Sequence, residues 1–439
     1  MKILQVSTRD IAGGAERSAR NLARAFRELG HESWLAVGEK RENDPYTFRI
    51  LNDEHRNAAV RGLDVLRRNS RLTSIRGFGR ATSLLRKLAE PSRAIAQEAG
   101  REDFDFPGTE HLLHLTPQKP DILHLHNLHG AYFDLRELPR LSREVPTILN
   151  VRDGWLMSGH CAFGLDCERW KTGCGDCPDL TLFPAIKRDA TASNWQRKRL
   201  ILGETRVHVA TPSQWMMDRV QESIIAPAAI GTRVIPNGVD TNIFTPGDRR
   251  SARVAIGIDQ NARLLLVAAN GLRFNVWKDY QLLRSALEIL GAREWPSPVI
   301  VLAVGEGSPA EHIGSIELRF VPFVSDSAEL ATYYRAADIY LHAARVESFG
   351  NVLLEARACG TAIVATAIGG IPEQVAEGTG VLTEPGNPTA FADAIARLLE
   401  NDTLREAVAN DGLRHVQENF TLMLQARRFL AWYDEILHA

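Results

Sequence analysis

Short runs of Val, Ile and Leu alternate along this chain with longer stretches in which apolar residues recur at helical spacing, the pattern of βαβ units around a parallel sheet. The alternation occurs twice. In the first half KILQVS, ESWLAVG, DILHLHN, PTILNVRD and VHVATPS read as strands, with a helix from about Glu16 to Leu29 closed by Gly30. In the second half LLLVAAN, PVIVLAVG, LRFVPFV, DIYLHAA, AIVATA and GVLTE read as strands, with helices between them. The expected class is therefore α/β with two doubly wound domains, 1–235 and 248–419. Between them TRVIPNGVDTNIFTPGD, with Pro236, Asn237, Gly238, Pro246 and Gly247, reads as turn and linker rather than core, over 236–247. The tail 420–439 is an amphipathic helix with no strand after it, expected to cross back to the first domain.

Two segments break the alternation. Within a helical insertion of about 54–98, the stretch from Arg56 to Arg93 carries Arg56, Arg61, Arg67, Arg68, Arg71, Arg76, Arg80, Arg86, Lys87 and Arg93 against only Asp64 and Glu90. Such a run is either a solvated face or a surface that lies on anionic lipid with its apolar residues dipping into the interface. The other segment, about 159–180, is rich in cysteine and too irregular for a strand or a long helix.

Composition narrows the setting. The chain has 439 residues, 44% hydrophobic and 24% charged, which suits a soluble globular protein of two or three domains. A net charge of −2 gives no general attraction to nucleic acid. The first apolar stretch is too short for a signal peptide, and no window approaches the roughly 18 apolar residues of a membrane span. The expected location is the cytoplasm, with peripheral contact at the inner face of the plasma membrane if the basic insertion meets lipid.

In open parallel sheets ligands bind where strands end and helices begin. After DIYLHAA the loop from Arg345 to Asn351 enters the helix VLLEARACG, closed by Gly360. Free N–H groups around Phe349, Gly350, Asn351 and Val352, together with the helix dipole, suit a pyrophosphate. Glu347 in the loop and Glu355 in the helix can accept hydrogen bonds from ribose and sugar hydroxyls. Among 54 acidic residues a pair eight apart arises by chance, so the surrounding segment has to give it meaning.

The run ESFGNVLLEARACGTAIVATAIGGIPEQV resembles the donor-binding cassette of the GT4 family of retaining glycosyltransferases, including the turn Gly369 to Glu373. Gly13-Gly14-Ala15-Glu16 is similar to that family's N-terminal glycine loop, IPNGVD to its interdomain signature, and Val304-Gly305-Glu306-Gly307 to its mid-domain glycine turn. The resemblance implies the GT-B fold, two Rossmann-like domains facing across a cleft, with the donor held mainly by the C-terminal one. It implies transfer from a UDP or GDP sugar, with retention, to a glycan or polyprenyl-linked acceptor in surface-polysaccharide synthesis. Arg273 and Lys278 in GLRFNVWKD stand as the family's Arg and Lys do, to neutralise the diphosphate, so no metal or other cofactor is implied for catalysis. Gly13, Gly14, Asn270 and Gly305 are the corresponding donor contacts. Glu347 and Glu355 become positioning groups rather than the acid and base of a glycosidase.

In the first domain His124 and His126 alternate on one strand. His126 and Asn127, at its carboxyl end, are candidate contacts to substrate, whereas His124 reads as structural. Asp153 follows PTILNVRD, where the family has a His-Asp pair, but Arg152 stands in place of the histidine. An arginine stays charged and cannot shuttle a proton at neutral pH, so Arg152 is expected to bind an anionic group on donor sugar or acceptor. The same departure favours the alternative, a catalytically impaired nucleotide-sugar-binding or scaffold protein in a polysaccharide assembly complex.

The stretch HCAFGLDCERWKTGCGDCPDL holds Cys161, Cys167, Cys174 and Cys177. Its final C-x-x-C fits a structural zinc, although the first spacing is wide for a zinc ribbon. Buried free thiols and a disulfide are the other two readings. Several bacterial polysaccharide glycosyltransferases that the chain resembles carry a similar segment. Cys359 reads as core packing.

Overall fold

The structure, a computed structural model, describes residues 1–11, 13–68 and 78–439. Arg71 and Arg76 of the basic insertion lie outside the described residues. Contacts divide the chain into two units: 1–211, 217–234 and 430–439 form the first, and 212–216 with 235–429 the second.

The first unit holds β1 (Lys2–Arg9), β2 (Glu32–Glu39), β3 (Thr47–Arg49), β4 (Ile122–Leu125), β5 (Thr147–Asn150), β6 (Val207–Thr211) and β7 (Ala229–Val234). They form a parallel sheet in the order β3-β2-β1-β4-β5-β6-β7. The second unit holds β8 (Arg263–Ala268), β9 (Val299–Val304), β10 (Glu311–Ile313), β11 (Ile316–Val321), β12 (Ile339–His342), β13 (Ala362–Thr366) and β14 (Val381–Thr383). Their order is β10-β11-β9-β8-β12-β13-β14, parallel except for the β10–β11 pair. This two-sheet α/β architecture has the two doubly wound units that the sequence pattern leads one to expect.

Continuous apolar strands form because both faces of each sheet are covered. In β8 the period of two sends Leu264, Leu266 and Ala268 into one core, and Leu265 and Val267 into the core on the opposite face. Helix α9 (Tyr280–Gly291), which follows α1 (Gly14–Glu28) and seven further described α-helices in chain order, shows how the covering layer is specified. Asp279 caps its N-terminus by accepting from the Leu282 N–H at 3.0 Å, and Leu282, Leu283, Ala286, Leu287 and Leu290 bury one stripe. Each such leucine contributes about 2 kcal/mol by burial.

Three strands were not legible in the pattern. β3 and β10 have three residues each, and β7 alternates half-buried and exposed positions at a sheet edge, so none has an apolar run. The segment expected as linker is also corrected. Val239 and Phe244 are 5% and 2% exposed in the second unit's core, and Val239 bridges Thr421. Its Pro and Gly residues shape turns, while the apolar residues between them anchor the segment.

The last helix, α15 (Leu422–His438), has its residues to Phe429 in the second unit and from Leu430 in the first. The basic insertion folds as α2 (Ala58–Arg68), α3 (Phe78–Ala89) and α4 (Pro91–Glu98). Several of its cations find carboxylates that lie apart in sequence: Arg93 reaches Asp103, Arg86 reaches Asp53, and Arg56 reaches Asp105. Arg61, Arg80 and Lys87 are exposed. Among the described residues no helix is long and apolar enough to cross a membrane.

Candidate active site

In the second unit the site residues collect at the carboxyl ends of β8, β9, β12 and β13. β8 and β12 are neighbours from which the connections run in opposite directions, the switch point where open α/β sheets bind ligands. After β12 the chain passes Glu347 and enters α11 (Asn351–Ala358; α10 is Ser327–Ala336) through Gly350, at φ 82°. Gly369 and Gly370 close over that loop. A Cβ on Gly369 would lie 2.0 Å from the Glu347 carbonyl oxygen, and one on Gly370 2.1 Å from that of Ser348. The Gly370 N–H donates to the Glu347 carbonyl at 3.0 Å.

A buried clamp that motif reading missed holds the loop from behind. Gln374 Nε2 donates to the carbonyls of Phe349 and Gly350. Arg357, fully buried, donates from Nη1 to the Gln374 carbonyl at 2.9 Å and from Nη2 to its Oε1 at 2.7 Å. Burial lowers the Arg357 guanidinium to about 9, still charged at neutral pH. The signal available was an arginine on the apolar side of a helix, which must find partners.

Lys278 Nζ donates to Glu347 Oε2 at 2.8 Å, with His342 Nε2 3.5 Å from the same oxygen. Burial alone would raise the Glu347 carboxyl, but the Lys278 ammonium and His342 outweigh it and hold it well below the usual carboxylate range. Lys278 reaches this position because the loop after β8 bridges Ala344 next to β12. The Arg273 guanidinium pairs with Glu306, and it stacks over the Phe320 ring at 4.7 Å. It does not join Lys278 on Glu347. Gly305, at φ 119°, permits close approach to Ala269 and accepts from the Gly271 N–H at 3.1 Å, which sets Asn270 and Gly305 side by side.

Glu355 is 8% exposed and accepts from the Tyr334 hydroxyl at 3.0 Å. Phe349 offers only its backbone, because its ring is in the core against Phe420. Val352 also packs on that core, and the Asn351 side chain accepts from Asn237 at 2.9 Å.

In the first unit Gly13 precedes α1, which starts at Gly14 rather than Glu16. His126 departs from its expected role. It is 1% exposed, stacked on His124 at 4.3 Å and bonded to Gln5, while His124 meets the Tyr433 hydroxyl at 2.5 Å. Burial lowers both imidazoles well below their ordinary value. His126 directly follows β4, and the layers on both faces of the sheet enclose it; the loop continues beyond it. That loop presents His129, whose Nε2 lies 2.9 Å from Asp153 Oδ2. The Asn127 carbonyl accepts from the Tyr132 hydroxyl at 2.8 Å, tying the same loop down. Burial would lower the His129 imidazole, but Asp153 and then Glu16 outweigh it and raise it. Arg152 is 8% exposed; burial lowers it to about 10 against the pull of Glu16, so it remains a cation.

The fully buried Lys198 anchors the loop after Asp153. Its ammonium lies 2.8 Å from Glu102 Oε2 and donates to the carbonyls of Trp155 and Ser158 at 2.8 and 3.1 Å. Cys161, Cys167, Cys174 and Cys177 are free thiols in this structure. Burial pushes Cys161 and Cys174 up to about 11, and His160 Nε2 lies 3.3 Å from Cys177 Sγ. Among the described residues no three His, Cys, Asp or Glu side chains are grouped to hold a metal ion. Cys359 is buried, as core packing requires.

Residues 12–243 match the model of Glycosyltransferase Family 4, and 249–415 that of Glycosyl transferases group 1. A D-inositol 3-phosphate glycosyltransferase of Actinosynnema mirum is 37% identical over 200 residues, 42% of this chain and 47% of that protein. One of Mycobacterium bovis is 35% identical over 221 residues, 46% of this chain and 44% of that protein. These matches span under half the length of the relatives. Among solved structures, sucrose-phosphate synthase from Thermosynechococcus elongatus aligns with TM-score 0.64 at 19% identity, covering 100% of this chain and 99% of that one. HepE of Anabaena in complex with UDP-glucose aligns with TM-score 0.61 at 16% identity, covering 99% and 100%. With one model matching more than half of its length and a second most of the remainder, the chain belongs to the family 4, group 1 glycosyltransferases.

Proposed function

We propose that this protein transfers a sugar from a nucleoside-diphosphate sugar to a hydroxyl of a glycan or polyprenyl-linked glycan, with retention and without a metal ion, in surface-polysaccharide synthesis at the cytoplasmic face of the membrane. The observation that carries the reading is the Lys278–Glu347 pair at the entrance of α11. An ammonium has three N–H donors, so with one given to Glu347 it keeps capacity for phosphate oxygens, beside the free N–H groups of the helix end. UDP is the first donor nucleotide to try, since the similarly folded HepE was captured with UDP-glucose.

In this reading the bond from the anomeric carbon to the diphosphate breaks as a new bond to the acceptor oxygen forms on the same face. The acceptor proton passes to a phosphate oxygen of the leaving nucleoside diphosphate. Lys278, Arg273 and the helix end offset the charge that develops there, the role a metal ion would otherwise fill. Glu347 and Glu355 hold the donor's hydroxyls. Arg152, a buried cation in the first unit, holds an anionic group of sugar or acceptor.

A thermal-shift panel of nucleotides and nucleotide sugars tests the donor half, because a ligand that binds the native state raises its melting point. No shift with any nucleoside diphosphate sinks the reading. The competing reading, a non-catalytic binding or scaffold protein, rests on Arg152, and nucleotide release that depends on added acceptor excludes it.

A further inference from the structure

A cavity of about 230 Å³ lies within the first unit, at the carboxyl ends of β1, β2 and β3. Water takes about 30 Å³ a molecule, so the space suits a small ionic group with its attached atoms. Arg9, Arg49, Arg56 and Arg86 line it, against the carboxylates of Glu39 and Asp53. The guanidiniums are held in place: Arg9 Nε lies 2.7 Å from Glu39, and Arg86 Nη1 3.3 Å from Asp53. Arg56, its side chain 3% exposed, donates from Nη1 to Glu90 at 2.6 Å and to Asp105 at 2.9 Å and from Nη2 to the Asp105 carbonyl, while its Nε–H makes no hydrogen bond and lies 3.7 Å from Asp53 Oδ1. Arg49 has Glu54 only at 3.9 Å. A guanidinium carries five N–H donors, and these pairs use a fraction of them.

The wall is built at a cost to the backbone. Gly130 has φ 104°, where a Cβ would meet Thr8 Cγ2 at 2.6 Å, and Ala131 sits in the left-handed region at φ 61°. A non-glycine residue is held there only when its surroundings demand it, and such positions gather at ligand sites.

We propose that this cavity binds a phosphate or diphosphate group carried by the acceptor. The proposal rests on the glycosyl-transfer reading and names the acceptor's chemistry: a planar, permanently charged guanidinium matches phosphate with paired hydrogen bonds. The helix that supplies Arg86 leaves Leu84, Leu85 and Leu88 60%, 50% and 69% exposed. A lipid-borne phosphate would arrive beside that apolar surface, whereas a soluble sugar phosphate needs only the arginines.

The test is calorimetric titration of the full chain with inorganic pyrophosphate, as wild type, Arg49→Ala and Lys278→Ala. Arg49→Ala should weaken pyrophosphate binding about tenfold or more, with nucleotide binding unchanged, and Lys278→Ala should leave this binding event in place. No binding by wild type, or binding lost in Lys278→Ala and kept in Arg49→Ala, overturns the proposal and leaves glycosyl transfer standing. Absence of nucleotide binding by the wild type, with pyrophosphate still bound, sinks the transfer reading and the acceptor role with it. If Arg49→Ala melts early, Arg86→Ala takes its place. Phosphatidylglycerol vesicles that displace pyrophosphate identify a lipid source. Vesicles that bind wild type and Arg49→Ala equally, without displacing it, overturn the cavity in favour of a charged surface.

Discussion

The Asp153 carboxylate accepts from an imidazole that is not its sequence neighbour: His129, 24 positions earlier, brings Nε2 to 2.9 Å from Oδ2. The position before Asp153 belongs to Arg152, so the His–Asp pairing is made between two loops rather than within one. Asp153 also accepts from the Trp155 N–H at 3.0 Å, which fixes the carboxylate's orientation.

That pair sets a pH dependence with a definite sign. The folded-state pKa of His129 is raised above its ordinary 6.5, so the stability it contributes is fully present below about 6.5 and is lost as pH rises through the folded value. Asp153→Asn should remove this contribution. The wild-type minus variant stability should be largest on the acid side and shrink above pH about 6.5, as read by chemical denaturation. A difference that grows with rising pH would contradict the assignment.

Lys278→Ala should reduce turnover about 10²- to 10³-fold, the usual loss when a group that stabilises developing charge is removed. It should also cost about 2 kcal/mol of stability, because Glu347 is left half-buried with its main partner gone. Steady-state kinetics together with melting curves separate the two effects, and near-normal turnover would refute the role.

Gly370→Ala tests the closure of the donor loop. The new Cβ would sit 2.1 Å from the Ser348 carbonyl oxygen, so backbone must move, at about 1–3 kcal/mol. Nucleotide affinity should fall with stability. Gly378→Ala, whose Cβ meets nothing within 4 Å, should strain its own φ of 80° but leave nucleotide affinity unchanged.

Gln374→Ala leaves the carbonyls of Phe349 and Gly350 without their donor and strips Arg357 of one acceptor. We expect KM for the donor to rise and stability to drop by about 1–3 kcal/mol. An unchanged KM in a stable variant would mean that the clamp does not position the loop.

Turnover should survive a chelator, because cations of the chain itself face the diphosphate in the proposed mechanism. Activity assayed with EDTA, and with Mg²⁺ added back, decides this; a loss restored by the metal would overturn it.

What the sequence by itself determined was everything that depends on local period and on motif. Two parallel α/β units follow from apolar runs covered on both faces, as in β8 and β9, and the proposed donor end of the second unit comes from the family resemblance carried by Glu347, Gly350, Glu355 and Gly369 standing in order. What only the tertiary structure decided is which polar groups meet. Lys278 and Arg273 lie five positions apart, yet one pairs with Glu347 and the other with Glu306, because loops from different strands present those carboxylates. His126 is enclosed for the same reason: it directly follows β4 and is covered by layers from elsewhere in the chain, whereas His129, four residues beyond the strand's end, lies on the loop, the kind of position from which open sheets reach ligands. Short strands such as β3 and β10 form only because longer neighbours present an edge to pair with, and the arginine cavity exists because three strand ends and a separate insertion converge on it. Periodicity is a property of neighbours in sequence; charge pairing and enclosure are properties of neighbours in space.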